Sequence, residues 1–147
     1  MFECDFDTVA SWVQSMTDCS IPKAGAITIG FRNSCSDMVA GVMYEHFTGT
    51  SITATIAIAP GVIVPRGFIA AIFDYPFVQL RCRKILAYVE VANQRSRSMV
   101  ERMGFEKEAV VRDVFPSGAM IVYSLTPEKC RYLEKAHGKK DENATCS

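Results

Sequence analysis

The sequence predicts one α/β domain built on a mixed, largely antiparallel sheet with helices packed against it. The first observation behind this is an ordered change of hydrophobic period: helix, three strands, helix, strand, helix, two strands, short helix. The second is that the strand-like runs on either side of Thr48-Gly49-Thr50 are joined by a turn so short that they must be antiparallel neighbours. The third is that the run from Ile52 to Ala59 and the run from Lys84 to Val91 are separated by a helix, which makes them nearly parallel. Several three-layer folds share this order, so order alone leaves the topology open.

Phe6, Val9, Ala10, Val13 and Met16 recur at helical spacing behind Asp5, a suitable N-cap. Ser20-Ile21-Pro22 breaks that helix. Ile27, Ile29 and Phe31 alternate with Thr28 and Gly30, a strand pattern ending at Arg32-Asn33-Ser34. Met38 to Phe47 is the second strand, and Thr48-Gly49-Thr50 turns into the third, Ile52 to Ala59. Pro60-Gly61 ends it. Pro65 suits the entry of a helix from Arg66 to Leu80, which Pro76 should kink or shorten by removing a backbone donor. Lys84 to Val91 returns as a strand. An Asn-started helix follows and stops at Gly104. Ala109 to Phe115 and Met120 to Leu125 flank a Pro-Ser-Gly turn, and Thr126 caps a short helix with Pro127 at its first position. The composition turns polar and charged from His137, so residues 1–135 form the domain and 136–147 a loose tail.

Bulk properties restrict the function. A length of 147 residues suits one domain with a sizeable core. Sixteen basic and sixteen acidic side chains cancel, so no global field favours nucleic acid or an anionic membrane. Arg81-Arg83-Lys84 and Arg95-Arg97-Arg102 are local basic clusters, suited to solvated faces or to a phosphate ligand. The six cysteines are scattered without Cys-x-x-Cys or a nearby His pair, which argues against zinc and gives no disulfide framework. Reduced thiols in a cytoplasm are the simplest account. Cys35 and Cys82 are the candidates for a nucleophilic thiol, against the commoner use of small thiols in a core. The N-terminus lacks a basic n-region, so no signal peptide is expected. The longest apolar run, Ile56 to Val64, is too short to span a bilayer and contains Pro60-Gly61.

The chemistry concentrates between Tyr88 and Leu133. An Asn and a Ser one turn apart, Asn93 and Ser96, stand just beyond a strand's C-terminal end, where α/β sheets collect ligands. Asn93-x-x-Ser96, then Glu101-x-x-Gly104-Phe105, then Glu108 and Arg112, resembles the C-terminal half of the GNAT acyl-CoA N-acyltransferases. Within that superfamily the chain is similar to the branch that acetylates protein N-termini and to small phage GNAT-like proteins; Ala71-Ile72-Phe73-Asp74-Tyr75-Pro76-Phe77 with Arg83 and Val89 resembles the phage group. The likeness runs from about Ile52 to Leu133.

The resemblance implies a GNAT-like sheet splayed between the strand Ile52 to Ala59 and the strand Lys84 to Val91, with acetyl-CoA as co-substrate in the gap. Main-chain groups near Ile56, Ala57 and Ile58 would pair with the amides of its pantetheine arm; each such bond is worth about 1 kcal/mol, so several are needed. The phosphates would meet the amides of Gly67, Phe68 and Ile69 and the guanidinium of Arg66 at a helix start. Phe68 departs from the small residue the family has there. Asn93 would contact the arm, a helix cap being its other role. Arg97 is a further cofactor-binding candidate. Ser96 would protonate the leaving thiolate, in the absence of the Tyr that many relatives carry where Val100 stands; a structural Ser bonded to a helix carbonyl is its commoner role. The strand Glu that serves many relatives as base is missing, which leaves as candidates Glu45 and His46, on opposite faces of one strand, and Glu90. The expected activity is acetyl transfer to an amine, that of a protein included. The alternative is a non-catalytic GNAT-fold binding protein, such as a phage factor acting on a host protein in the host cytoplasm, or a virion component. Exposed sheet edges allow a homodimer.

Overall fold

The computed structural model describes residues 1–17 and 26–133. The break at Ser20-Ile21-Pro22 and the tail at 136–147 lie outside the described residues.

Helix α1 (Phe6–Met16) begins where Asp5 accepts the Thr8 amide at 2.9 Å and the Thr8 hydroxyl at 2.6 Å. These two bonds hold the Asp5 carboxyl below its usual range. A short strand the sequence reading missed, β1 (Phe2–Glu3), pairs with β2 (Ile27–Arg32). Next come β3 (Met38–Glu45), β4 (Ser51–Ile58) and helix α2 (Arg66–Asp74). Then come β5 (Lys84–Glu90), helix α3 (Gln94–Met103), β6 (Glu106–Phe115) and β7 (Gly118–Leu125). The seven strands form one sheet in the order β1-β2-β3-β4-β5-β7-β6, antiparallel except for the β4–β5 pair. The predicted mixed, largely antiparallel sheet is what the chain builds. Bulges interrupt β6, the outer strand, after Lys107 and after Val111, and Asp113 takes a left-handed φ of 56°.

Helix α1 covers one face, seating Val9, Ala10 and Val13 against Met43 and Ala57. Gly41 lets it approach: a Cβ there would stand 2.9 Å from Val13 Cγ2. Helices α2 and α3 share the other face in a larger core, where the rings of Phe73 and Phe105 lie 6.2 Å apart.

The expected helix to Leu80 is shortened as Pro76 requires. α2 ends at Asp74 and widens into one π turn, Tyr75–Gln79. Proline has no amide for the carbonyl four residues earlier, that of Ile72. The buried Tyr44 hydroxyl donates to that carbonyl at 2.5 Å instead. Tyr44→Phe should therefore lower the unfolding free energy by about 1–3 kcal/mol, because a buried acceptor loses its partner; urea denaturation measures it. Burial above all, with Tyr75 and Asp74 beside it, pushes the Tyr44 phenol well up. Its contribution is complete below the ordinary phenol value of about 10 and is lost above it, where the unfolded chain releases the proton first. Alkaline destabilisation should thus be shallower in Tyr44→Phe.

Gly104 ends α3 in a left-handed conformation, φ 107°, with the Phe105 amide returning to the Val100 carbonyl. After β7 the predicted capped helix is only a 3₁₀ turn, Pro127–Lys129, and the Thr126 side chain makes no capping bond. No helix among the described residues is long and apolar enough to cross a membrane.

Candidate functional site

The parallel pair β4–β5 is joined at three positions only: Ser51 with Lys84, Ile52 with Ile85 and Thr53 with Leu86. Beyond them the strands part. β4 stays with β3 as far as Ile58, opposite Ala40, and β5 stays with β7 as far as Glu90, opposite Met120. The Ala59 amide donates to the Val39 carbonyl at 2.9 Å, so in an antiparallel ladder Ala57 also turns its main chain to β3. Ile56 and Ile58, between them, turn theirs to the split. One of these groups has a partner: the Ile58 carbonyl accepts Arg95 Nη2 at 2.7 Å.

A pocket of about 350 Å³ occupies the split. Ile56, Ala57 and Ile58 line it from β4, residues 59–62 and Val64 from the following loop, and Arg95, Ser96, Met99 and Arg102 from α3. Met16 and Thr17 line it from α1. Since α1 and α3 lie on opposite faces, the pocket passes through the sheet. Among the described residues its lining holds two guanidinium groups, two hydroxyls and no carboxylate. The volume lies within the range of small-molecule sites, at its lower end.

No protein-family model matches the chain, and no curated protein does. Solved structures do. Over 92% of this chain and 97% of the other, it superposes on a mutant of spermidine N-acetyltransferase SpeG from Vibrio cholerae with a TM-score of 0.70 and 16% identity. A mutant form of spermidine/spermine N-acetyltransferase SpeG from the same organism gives 0.68 and 16%, over 88% and 95% of the two chains. Another SpeG mutant gives 0.65 and 21%, over 79% and 72%. The fold is the GNAT fold.

Within that GNAT fold the structure brings together four of the predicted site residues, Ile56, Ala57, Ile58 and Ser96. Ala57 contributes its side chain rather than its main chain. Asn93 is the N-cap of α3, its side-chain oxygen accepting the Ser96 amide at 3.1 Å. That bond fixes the first turn, and with it the place of Ser96.

The start of α2 differs from the expected phosphate loop. The amides of Phe68 and Ile69 already donate to the Pro65 carbonyl, at 3.0 and 3.3 Å, because the first turn closes on itself. Those of Arg66 and Gly67 come before any intrahelical partner is in reach. A Cβ on Gly67 would meet nothing within 4 Å. Phe68 does not obstruct this end, since its ring is buried against Phe2 and Phe31. Arg66 turns to the C-terminal segment: its Nη2 donates to the Arg131 carbonyl at 3.4 Å and its guanidinium lies 5.1 Å from the centre of the Tyr132 ring.

Glu45 stands opposite Thr53, at the closed end of the split, and His46 lies beyond the strand with a left-handed φ of 58°. Five residues of β4, about 16 Å, separate Thr53 from Ile58. Neither Glu45 nor His46 lines the pocket. Nor do the thiols of Cys35 and Cys82. Cys35 is exposed; Cys82 is buried, which pushes its thiol up and away from the reactive thiolate.

Arg97 also faces away. Its Nη1 donates to the Val91 carbonyl at 3.0 Å, and its Nε is buried without a partner. Beside it the Tyr123 hydroxyl donates to Glu101 at 2.6 Å. Two helical residues are 200° apart, so with Arg97 against the sheet it is Arg95 that reaches the pocket. From the sequence, Arg95 and Arg102 belong with Arg97 to a basic cluster suited to a phosphate ligand, but only Arg97 is singled out for the cofactor, and Met99 is missed. The i, i+4, i+7 spacing of Arg95, Met99 and Arg102 marks one stripe of α3 and was available as a signal.

Proposed function

We propose that the protein is an acetyl-CoA-dependent N-acetyltransferase acting on an amine. The observation that carries this reading is the open split between β4 and β5, with the main chains of Ile56 and Ile58 turned into it and Ser96 at its side. A pantetheine arm is an extended chain with two amides, and a strand edge without a partner strand is the surface that such amides fit. The cationic lining, free of carboxylates among the described residues, suits the phosphates of the same co-substrate.

In the proposed reaction the neutral amine attacks the thioester carbonyl carbon and the carbonyl oxygen takes up charge. The C–S bond then breaks, the thiolate takes a proton from the Ser96 hydroxyl or from water, and the ammonium formed in the attack gives one up through water, which restores the Ser96 hydroxyl. The acceptor would enter from the α1 side, where Met16 and Thr17 line the pocket. The structural neighbours are named for spermidine and spermine, so polyamines join protein N-termini as acceptors to be tried.

A second reading has its own observation. No carboxylate or imidazole of the described residues lines the pocket, which favours a GNAT-fold binding protein that holds the co-substrate without turning it over. The phage-type likeness of Ala71 to Phe77 supports it too.

One experiment separates the two. Acetyl-CoA at a hundred times its dissociation constant should stabilise the protein by about 2.7 kcal/mol in a thermal-shift titration. Release of free CoA in the presence of spermidine or N-terminal peptides then marks the enzyme, and stabilisation without release marks the binding protein. A flat titration with both acetyl-CoA and CoA would sink both readings.

A further inference from the structure

We propose that Arg95, supported by Arg102, holds the diphosphate of the co-substrate, in the place that the start of α2 and Arg66 would otherwise have. This rests on the acetyl-CoA reading above. The guanidinium of Arg95 is anchored by one N–H to the Ile58 carbonyl, at the mouth of the split, and among the described residues its remaining donors meet no acceptor that would compete with phosphate oxygens. Arg102 lies seven residues on, two turns or about 10.5 Å along the same stripe of α3, and lines the same pocket. Among the described residues neither guanidinium takes part in an ion pair: the three pairs belong to Arg32, Lys84 and Lys129. Two cations facing a pocket that no carboxylate of the described residues lines match a ligand with two adjacent anionic groups.

The start of α2 is less well equipped. Arg66 lies over Tyr132 and donates to the Arg131 carbonyl, while the Phe68 and Ile69 amides serve the Pro65 carbonyl. Arg95 thus forms the link between the arm and the phosphates: one edge of its guanidinium rests on the strand that the arm would follow, and the other is directed at the charge that ends the arm.

Calorimetric titration of the full chain with CoA and with pantetheine, which has the arm but no phosphate, tests this. Arg95→Gln keeps a donor for the Ile58 carbonyl and removes the charge. It should weaken CoA by about tenfold to a hundredfold, the usual worth of hydrogen bonds to a charged group, and leave pantetheine within about twofold. Arg66→Gln should leave both unchanged. The inference alone is overturned if CoA binds the parent and Arg95→Gln binds it as well, or if Arg66→Gln is the variant that loses it. Equal losses of CoA and pantetheine in Arg95→Gln would assign Arg95 a structural role and overturn it too. If the parent binds neither compound, the inference falls together with the acetyl-CoA reading.

Discussion

Phe68→Ala should lower the unfolding free energy by about 3–5 kcal/mol, the range for emptying a phenylalanine site in a packed core. Phe68 is only 1% exposed, with its ring 5.7 Å from Phe2 and 5.3 Å from Phe31. The three rings bind elements distant in sequence: β1 and β2 at the sheet edge and the first turn of α2. Removing the central ring leaves a cavity and loosens β1, whose two pairing positions give it little hold of its own. Phe68→Leu, which keeps most of the volume, should cost less than half as much. Urea denaturation monitored by far-UV circular dichroism reads both. A loss below about 1 kcal/mol for Phe68→Ala would mean that the ring does not lie in the core, and would return it to the phosphate end of α2, where it would obstruct the co-substrate.

Phe68 also shows where reading a sequence stops. Its bulk is visible in the chain, and in a loop that must admit a diphosphate it counts as an obstacle. Whether it obstructs depends on how α2 is rotated about its axis, and that rotation is set by partners in β1 and β2, about 65 and 35 residues away in sequence. β1 itself was illegible because two residues carry no period. The same cause lies behind the exchange of Arg97 for Arg95. Both are arginines at the start of a legible helix, bracketed by a capping Asn93 and a terminal Gly104, yet nothing local says which one faces the sheet. The split between β4 and β5 is different again: their parallel course follows from composition and connection length, but that they part after Thr53 was implied only by the likeness in the later half of the chain. The length of α2 needed no likeness, because Pro76 constrains the backbone wherever it stands.

Ser96→Ala should reduce turnover of acetyl-CoA with an amine acceptor by about a hundredfold or more, in keeping with the usual weight of a positioned proton donor, and leave the affinity for CoA unchanged. Alanine is the better helix former, and the Asn93 cap bonds the amide of residue 96 rather than its hydroxyl, so the fold gains slightly if it changes at all. A fall in rate therefore reports chemistry. The proposed role makes a narrower demand as well. A CoA thiolate is basic and departs with a proton, whereas p-nitrophenolate is stable as the anion. Parent and Ser96→Ala should then transfer the acetyl group of p-nitrophenyl acetate at similar rates while differing on acetyl-CoA. Equal rates on acetyl-CoA would give the proton to water; equal losses on both donors would make Ser96 a group that places the acceptor. In either case the proposed binding mode stands and only the assignment of the proton changes, because in that mode the arm would be held by main-chain groups of Ile56 and Ile58 that no substitution at residue 96 removes.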